Sequence, residues 1–194
     1  MRDQPLDRSE IPDYENYDYN AEWIDRSIED SAEKEIIASL IGSRQICLEL
    51  GGGFGRITSI LEPRVVSTVM IDYSVSSLQS ARSRLKSAML MRSDIRALPF
   101  RDNLFDLVIA IRVLHHIRNP EELIREMVRV SRECATVVLA VPNPQLGLHN
   151  RVGQGQKAFV GKWGHLAYVN RSRTTPTPSS PSWRYAVRES STTG

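Results

Sequence analysis

The chain has 194 residues, of which 41% are hydrophobic and 25% are charged, a composition typical of a globular protein with one domain and a sizeable core. Its net charge of +2 counts against general nucleic-acid binding, and no apolar run is long enough to cross a bilayer. The polar N-terminus is unlike a secretory signal, and the two cysteines indicate no disulfide framework, so we expect a cytoplasmic protein without membrane contact.

Residues 1–20 form an acidic N-terminal segment, and the negative charge continues into the next element. Residues 1–35 contain 12 acidic and 4 basic side chains. Within residues 21–41, apolar side chains recur at helical spacing, which predicts one or two helices ending at Gly42.

Between residues 46 and 141, apolar segments with the length of buried strands alternate with helical patterns. The predicted strands are 46–50, 65–72, 88–94, a part of 105–114, and 135–141. The predicted helices are 54–62, 75–85 and 119–132, with Ser74 as the N-cap of the second. This alternation predicts an α/β fold with a doubly wound, mostly parallel sheet and helices on both faces. Ligands of such sheets bind beyond the carboxyl ends of the strands.

The alternating pattern ends near residue 141, where the composition changes. Residues 145–194 contain seven basic side chains and one acidic side chain, and residues 174–194 are rich in Ser, Thr and Pro. The expected organisation is a core domain at 21–145, a partial C-terminal region at 146–173 with a short strand at 167–169, and a disordered tail at 174–194.

The stretch LELGGGFGR, residues 48–56, places four glycines directly after the first predicted strand. Glycine costs conformational entropy on folding, so this concentration indicates a sharp turn or the close approach of a ligand. The G-x-G-x-G spacing lacks the third glycine of the dinucleotide fingerprint, because Arg56 follows, and it lacks the Walker lysine. An NAD-dependent oxidoreductase is therefore disfavoured, while a nucleotide site and a tight turn alone both stay open.

Two acidic residues follow the next two predicted strands at the same edge of the sheet. Asp72 stands 21 residues after Gly51 and can accept hydrogen bonds from both hydroxyls of an adenosine ribose, or it can cap a turn. Asp94 can accept from an adenine amino group while the N–H of Ile95 reaches a ring nitrogen, or it can serve in a turn.

Four segments share the order and spacing of a known family: LELGGGFG (48–55), VMIDYS (69–74), SDIRALPFRDNLFDLVIAIRVLHHI (93–117) and the run 129–143. On these motifs, which span about residues 46–143, the chain resembles the class I S-adenosylmethionine-dependent methyltransferases, closest to the type 11-like branch with small-molecule members. The resemblance implies a Rossmann-like fold, S-adenosylmethionine as the cosubstrate, and transfer of its methyl group to an acceptor.

The resemblance also implies roles for individual residues. Glu49 would orient the loop or meet the methionine amino group. An aromatic residue before the first strand often touches the cofactor in this family, and Tyr17, Tyr19 and Trp23 are the candidates. The implied cofactor-binding residues are Glu49, Gly51, Gly53, Gly55, Asp72, Tyr73, Asp94, Ile95, Ile111 and Arg112.

His115 and His116 follow the fourth predicted strand on the ligand side and are the candidate catalytic residues. A neutral imidazole can take a proton near pH 7, although packing or capping is the alternative role for both. Arg112 could neutralise an anionic substrate or form a salt bridge, and Asn143 could line the substrate side or a turn. No acidic cluster suggests a catalytic metal, so none is expected.

A small-molecule acceptor is the function that we expect. The alternatives are an RNA-modifying methyltransferase acting on tRNA, which the basic C-terminal stretch would suit, and a non-catalytic S-adenosylmethionine-binding module. The family's core normally ends in a helix and a two-stranded hairpin, often introduced by a Gly-Phe step that residues 145–194 lack. We therefore expect the C-terminal hairpin to be missing or altered.

Overall fold

The computed structural model describes residues 14–15, 17–42 and 45–140, together with the backbone of two further strands. The helices are α1 (Tyr19–Glu22), α2 (Ser27–Leu40), α3 (Thr58–Leu61), α4 (Val75–Arg84) and α5 (Pro120–Val130), with a 3-10 helix at Leu114–His116. The strands are β1 (Ile46–Leu50), β2 (Ser67–Asp72), β3 (Met89–Arg92), β4 (Phe105–Ile111), β5 (Ser131–Ala140), β6 (Ala167–Asn170) and β7 (Arg184–Val187).

The strands form one sheet in the order β3-β2-β1-β4-β5-β6-β7. β1 is parallel to β2 and β4 on its two sides, and β3 and β5 extend the parallel part outward. The predicted α/β fold with a mostly parallel sheet is therefore confirmed. The strand order reverses between β1 and β4, and this switch point is where ligands bind in open α/β sheets.

The hydrophobic core lies on both faces of the sheet. Leu48 of β1 packs with Leu123 of α5 on one face, while Cys47 packs with Ile37 of α2 and Leu61 of α3 on the other. Successive strand side chains point to opposite faces, so a strand covered on both sides requires a nearly continuous apolar run. No helix in the described part of the chain is both long and apolar enough to span a membrane.

Some element boundaries differ from the predictions for local reasons. The helix expected over 54–62 is confined to α3, because turns of the glycine loop continue to Ile57. β5 begins at Ser131 instead of residue 135, and its pairing with β4 is irregular where Cys134 has a φ of 67°. Ser74 is the N-cap of α4 as predicted, since its hydroxyl oxygen accepts from the N–H of Ser77 at 3.1 Å.

Two antiparallel strands follow the parallel part of the sheet. β6 pairs with β5 and with β7. The C-terminal hairpin was expected to be missing or altered, and β6 and β7 are the two strands that the structure describes in this region. β6 contains the predicted short strand, and β7 lies within residues 174–194. The other residues after 140 lie outside the described ones.

Candidate functional site

The carboxyl ends of β1, β2, β3 and β4 meet at one edge of the sheet, as their parallel pairing requires. The glycine loop follows β1, Asp72 ends β2, Asp94 follows β3 and Arg112 follows β4. Candidate residues from four separate segments are therefore brought to a single edge.

The glycine loop is held against β2 by its backbone. Gly51, Gly53 and Gly55 have positive φ values of 65°, 57° and 80°. The N–H of Gly51 donates to the carbonyl oxygen of Ile71 at 2.7 Å. A left-handed conformation costs other residues roughly 1 kcal/mol or more, so this path favours glycine. At Gly55 a Cβ would also lie 2.9 Å from Leu85.

The space around the loop distinguishes Gly53 from its neighbours. A Cβ at Gly52 would lie 2.4 Å from Cγ of Met70, and a Cβ at Gly51 would lie 2.5 Å from Cγ2 of Val113. These two glycines are therefore required by packing within the protein. A Cβ at Gly53 would meet no atom of the described residues within 4 Å. The loop backbone is therefore open to a ligand at Gly53.

Asp72 connects the end of β2 to the glycine loop. Its Oδ2 accepts from the N–H of Gly53 at 2.7 Å, and its Oδ1 accepts from the N–H of Ser74 at 2.9 Å. Burial raises the pKa of the Asp72 carboxyl above its usual value, and these backbone donors oppose that rise. Each oxygen keeps a second lone pair, so Asp72 can accept two further hydrogen bonds. The neighbouring Tyr73 is half-buried, and its carbonyl oxygen accepts from Nε of Arg92 at 2.9 Å.

Asp94 has a different environment, because an arginine two residues away occupies its carboxylate. Nη2 of Arg96 donates to Oδ2 at 2.8 Å, while its Nε and backbone N–H donate to Oδ1 at 3.1 Å and 2.9 Å. The Arg96 side chain is only 8% exposed, so the pair is shielded from solvent. Ile95 packs against the core between them. Sequence reasoning missed this pairing, although the D-x-R spacing carried a signal for it.

Glu49 is buried in β1 directly beneath the loop. Its Oε2 accepts from the hydroxyl of Thr58 at the start of α3. Burial raises the pKa of the Glu49 carboxyl to about 7, while the Thr58 hydrogen bond and the charge of Arg56 oppose that rise. A Cβ on Gly52 would lie 3.4 Å from its Cδ. Glu49 therefore supports the loop and can change its ionisation near neutral pH.

Arg112 leaves β4 in a left-handed conformation that turns its side chain toward α2. Its φ is 58°, and its N–H donates to the carbonyl oxygen of Ala140 at 2.7 Å. Nε of Arg112 donates to Glu33 at 3.1 Å, and Nη2 donates to Glu29. Of the two roles left open by the sequence, the structure shows the salt-bridged one. The preceding Ile111 is buried at the end of β4.

Arg56, which follows the last loop glycine, also turns toward α2. It forms ion pairs with Asp30 at 2.7 Å and with Glu33, and its side chain is 8% exposed. Its Cζ lies 3.7 Å from the ring centroid of Trp23. Trp23, one of the three aromatic candidates, therefore contacts the loop region through this guanidinium.

The two histidines lie at the ligand edge, where His116 has an aromatic partner. Nδ1 of His116 is hydrogen-bonded to the hydroxyl of Tyr14, and the ring of His115 lies 3.7 Å from that of His116 between centroids. Burial and the charge of Arg112 lower the pKa of His115, and burial and His115 lower the pKa of His116 to about 4. Both imidazoles are therefore neutral at pH 7. Their catalytic role stays a prediction.

Tyr14 and Glu15 lie at this edge and were not among the sequence candidates. The Glu15 carboxylate accepts from the N–H groups of Val75 and Ser76 at 2.8 Å and 3.1 Å, and these bonds lower its pKa. The Tyr14 ring lies 5.7 Å from that of Tyr19. The signal in the sequence was a cluster of tyrosines and acids. The partners of Glu15 and Tyr14 stand 60 and 102 residues away in the chain, however, so spacing could not identify them.

The two cysteines do not add a nucleophile to this edge. Cys47 is buried and Cys134 is exposed, both as free thiols. In the part of the chain that the structure describes, no three His, Cys, Asp or Glu side chains are grouped to hold a metal ion. Asn143 lies outside the described residues.

Comparison with known sequences gives relatives for the central part of the chain. Residues 48–139 match the family described as "Methyltransferase domain". Over 96 residues the chain is 26% identical to a Mycobacterium tuberculosis protein named a probable S-adenosylmethionine-dependent methyltransferase, covering 50% of this chain and 35% of the relative. The matched part of the chain covers 53% of the length of a second mycobacterial relative. The chain therefore spans about a third to a half of the length of these two relatives.

Solved structures give the same fold. An S-adenosylmethionine-dependent methyltransferase of Thermotoga maritima matches with a TM-score of 0.58 and 18% identity, covering 68% of this chain and 61% of that one. A provisionally named methyltransferase of Haloferax volcanii, in complex with the Trm112 methyltransferase activator, matches with a TM-score of 0.55 and 19% identity, covering 63% and 55%. At these identities the likeness concerns the fold alone.

Proposed function

Because the chain carries a class I S-adenosylmethionine-dependent methyltransferase domain at residues 48–139, with S-adenosylmethionine as the cosubstrate, we propose that it methylates a small-molecule acceptor. The observation that carries this proposal is the open side of Gly53 beside the carboxylate of Asp72. Both groups lie at the carboxyl edge of the sheet, next to its switch point, and both keep polar atoms available to a ligand.

The residues at the edge fit the parts of the proposed cosubstrate. Asp72 would accept from the ribose hydroxyls, and the N–H of Ile95 would reach the adenine ring. The loop from Gly51 to Gly55 would lie along the methionine portion, with Glu49 beneath it. The backbone of Ile111 and Arg112 would close the pocket.

Position and electrostatics are what this chain contributes to the proposed reaction. When bound, S-adenosylmethionine supplies an activated methyl group, so the protein needs no covalent intermediate of its own. The residues of the edge hold the two reactants in line and exclude water. Tyr73 and the half-buried Tyr14 and Tyr19 provide apolar ring surface for that purpose.

Two features support a small acceptor. Arg56 and Arg112, the arginines beside the loop and β4, are ion-paired with carboxylates of α2, which reduces their ability to attract a phosphate backbone. His115 and His116 are neutral, so they suit an acceptor without strong negative charge.

The histidines would position the acceptor and, where a proton must leave, accept it. If the Tyr14 hydroxyl donates to Nδ1 of His116, Nε2 carries the imidazole proton and is itself a donor. His116 would then orient the acceptor by hydrogen bonding. His115 is the better candidate for accepting a proton, because it is more exposed to solvent than His116.

Calorimetric titration of the full chain with S-adenosylhomocysteine, the product left after methyl transfer, tests the proposed site. We expect one site of micromolar affinity, and Asp72→Asn should weaken it by about tenfold or more. Asp102→Asn is the matched control, because Asp102 precedes β4 and therefore lies at the opposite edge. Absence of binding by a folded wild-type chain would refute the site.

Transfer of a labelled methyl group tests the acceptor. The proposal predicts label in members of a panel of small hydroxy, amino and thiol compounds, and none in bulk tRNA. Label in tRNA would favour the RNA-modifying alternative. Binding without transfer to any acceptor of either class would favour the non-catalytic module.

A further inference from the structure

The ring of Trp23 lies close to two arginines that belong to the candidate cofactor site. The Cζ atoms of Arg56 and Arg112 lie 3.7 Å and 5.0 Å from its ring centroid. We refer to Trp23, Arg56 and Arg112 as the Trp23 clamp. A guanidinium this close to an indole ring is attracted to its π face, and Trp is the strongest such partner among the aromatic residues.

Carboxylates in the first turns of α2 also bind the two arginines of the Trp23 clamp. Arg56 pairs with Asp30 at 2.7 Å and with Glu33, while Arg112 pairs with Glu29 and, at 3.1 Å, with Glu33. Glu33 therefore bridges the two arginines. Its side chain is 12% exposed, so solvent screens this bridge only weakly.

The segment between Tyr17 and Glu33, which we call the N-terminal strap, is attached by these polar contacts and not by a core. α1 contains no buried residue, and the one buried residue of α2 is Ile37, which lies beyond the strap. Ile24 and Ile28 are 72% and 86% exposed. Segments with few buried apolar contacts open at a lower free-energy cost than the core does.

The positions of the two arginines connect the strap to the cofactor site. Arg56 directly follows the glycine loop, and Arg112 directly follows β4, so both ends of the clamp belong to elements that would contact the cofactor. Just before the strap, Tyr14 is hydrogen-bonded to His116 and Glu15 accepts from the N–H of Val75. The strap, together with Tyr14 and Glu15, therefore makes contacts along this edge from the glycine loop to the start of α4.

We propose that the N-terminal strap must open for the cofactor to enter and leave, and that the Trp23 clamp sets the rate of that exchange. The inference rests on the proposed function, because it places S-adenosylmethionine beneath the strap. Weakening the clamp increases the open population, which accelerates both association and dissociation. A residue that only contacted the bound cofactor would change dissociation alone.

Surface plasmon resonance with the immobilised full chain and S-adenosylhomocysteine measures both rate constants. The variants are Trp23→Ala and Arg112→Gly. Arg112→Gly is chosen because glycine accepts the φ of 58° without strain, so the variant is expected to fold. The control is Arg132→Ala. Arg132 lies at the start of β5, at the opposite edge of the sheet, and the substitution removes its ion pair with Asp106 in β4. Thermal unfolding checks that each variant is folded.

Both clamp variants should raise the association and the dissociation rate constant by about tenfold, while the control keeps wild-type rates. Unchanged rates in folded clamp variants would overturn the inference, and so would a change confined to dissociation. A wild-type chain that binds no S-adenosylhomocysteine would instead refute the proposed function, and the exchange mechanism with it.

Discussion

Replacing Glu49 by Gln tests whether this buried carboxyl meets the amino group of the cofactor or only orients the loop. Its pKa is raised to about 7 by burial, so at pH 6.5 roughly three-quarters of the molecules carry a proton on Glu49. An ammonium group within hydrogen-bond distance would favour the ionised form. Binding of S-adenosylhomocysteine at pH 6.5 should then release close to that fraction of a proton.

Calorimetry in two buffers of different ionisation enthalpy measures this release directly. At pH 6.5 the observed enthalpy should differ between the buffers, and at pH 7.5, where Glu49 is mostly ionised, the difference should be clearly smaller. Glu49→Gln should show no release at either pH, while the amide can still accept from the Thr58 hydroxyl. Wild-type binding without proton release would refute the amino-group contact and leave Glu49 as a loop-orienting residue.

The same pKa predicts how stability depends on pH. A carboxyl whose pKa is 4.5 when unfolded and about 7 when folded binds more protons in the folded state between those values, so stability falls as the pH rises through that range. The full difference corresponds to about 3 kcal/mol. In denaturant unfolding, the wild type should lose more stability than Glu49→Gln between pH 5 and pH 8. The lowered pKa values of His115 and His116 act in the opposite direction but are common to both chains, so the difference between the two chains isolates Glu49.

Four further substitutions separate binding from folding. Asp72→Asn should weaken S-adenosylhomocysteine binding by about 2 kcal/mol in calorimetry, because it removes the charge from a half-buried acceptor. Gly53→Ala should lower the free energy of unfolding by only about 1 kcal/mol, because its φ is left-handed but its Cβ meets no atom of the described residues. The added methyl group should nevertheless largely abolish binding of S-adenosylhomocysteine. Gly52→Ala should mainly lower the melting temperature, because its Cβ would clash with Met70. Asp94→Asn should lower the melting temperature because it breaks the shielded pair with Arg96, and an unchanged melting temperature would contradict that pairing.

The sheet and the order of its elements were predictable because their determinants are local. The apolar run 46–50 has the length and composition of a strand buried on both faces, and β1 has those bounds. Ser74 is followed by a helical pattern and has the side chain of an N-cap, so its role could also be predicted. The helix over 54–62 was predicted too long, because periodicity does not show how far the turns of a glycine loop extend.

The contacts of the site were less predictable because their partners are distant in the chain. Arg112 pairs with Glu33 and Glu29, which stand 79 and 83 residues before it. Its sequence context fitted an anion-binding role as well as a salt bridge, and only the placement of α2 over the sheet edge distinguishes them. The same applies to Tyr14 and His116, which are 102 residues apart.

The departure from the dinucleotide fingerprint has a physical explanation in this structure. At the position where that fingerprint requires a third glycine, Arg56 is buried and paired with two carboxylates and an indole ring. A glycine there would allow close packing of helix and strand, but it would remove one side of the Trp23 clamp. The residue that argues against a dinucleotide site is thus the residue that attaches the N-terminal strap. This arrangement makes cofactor exchange and strap attachment depend on the same few residues, and substitutions at Arg56 should therefore affect both.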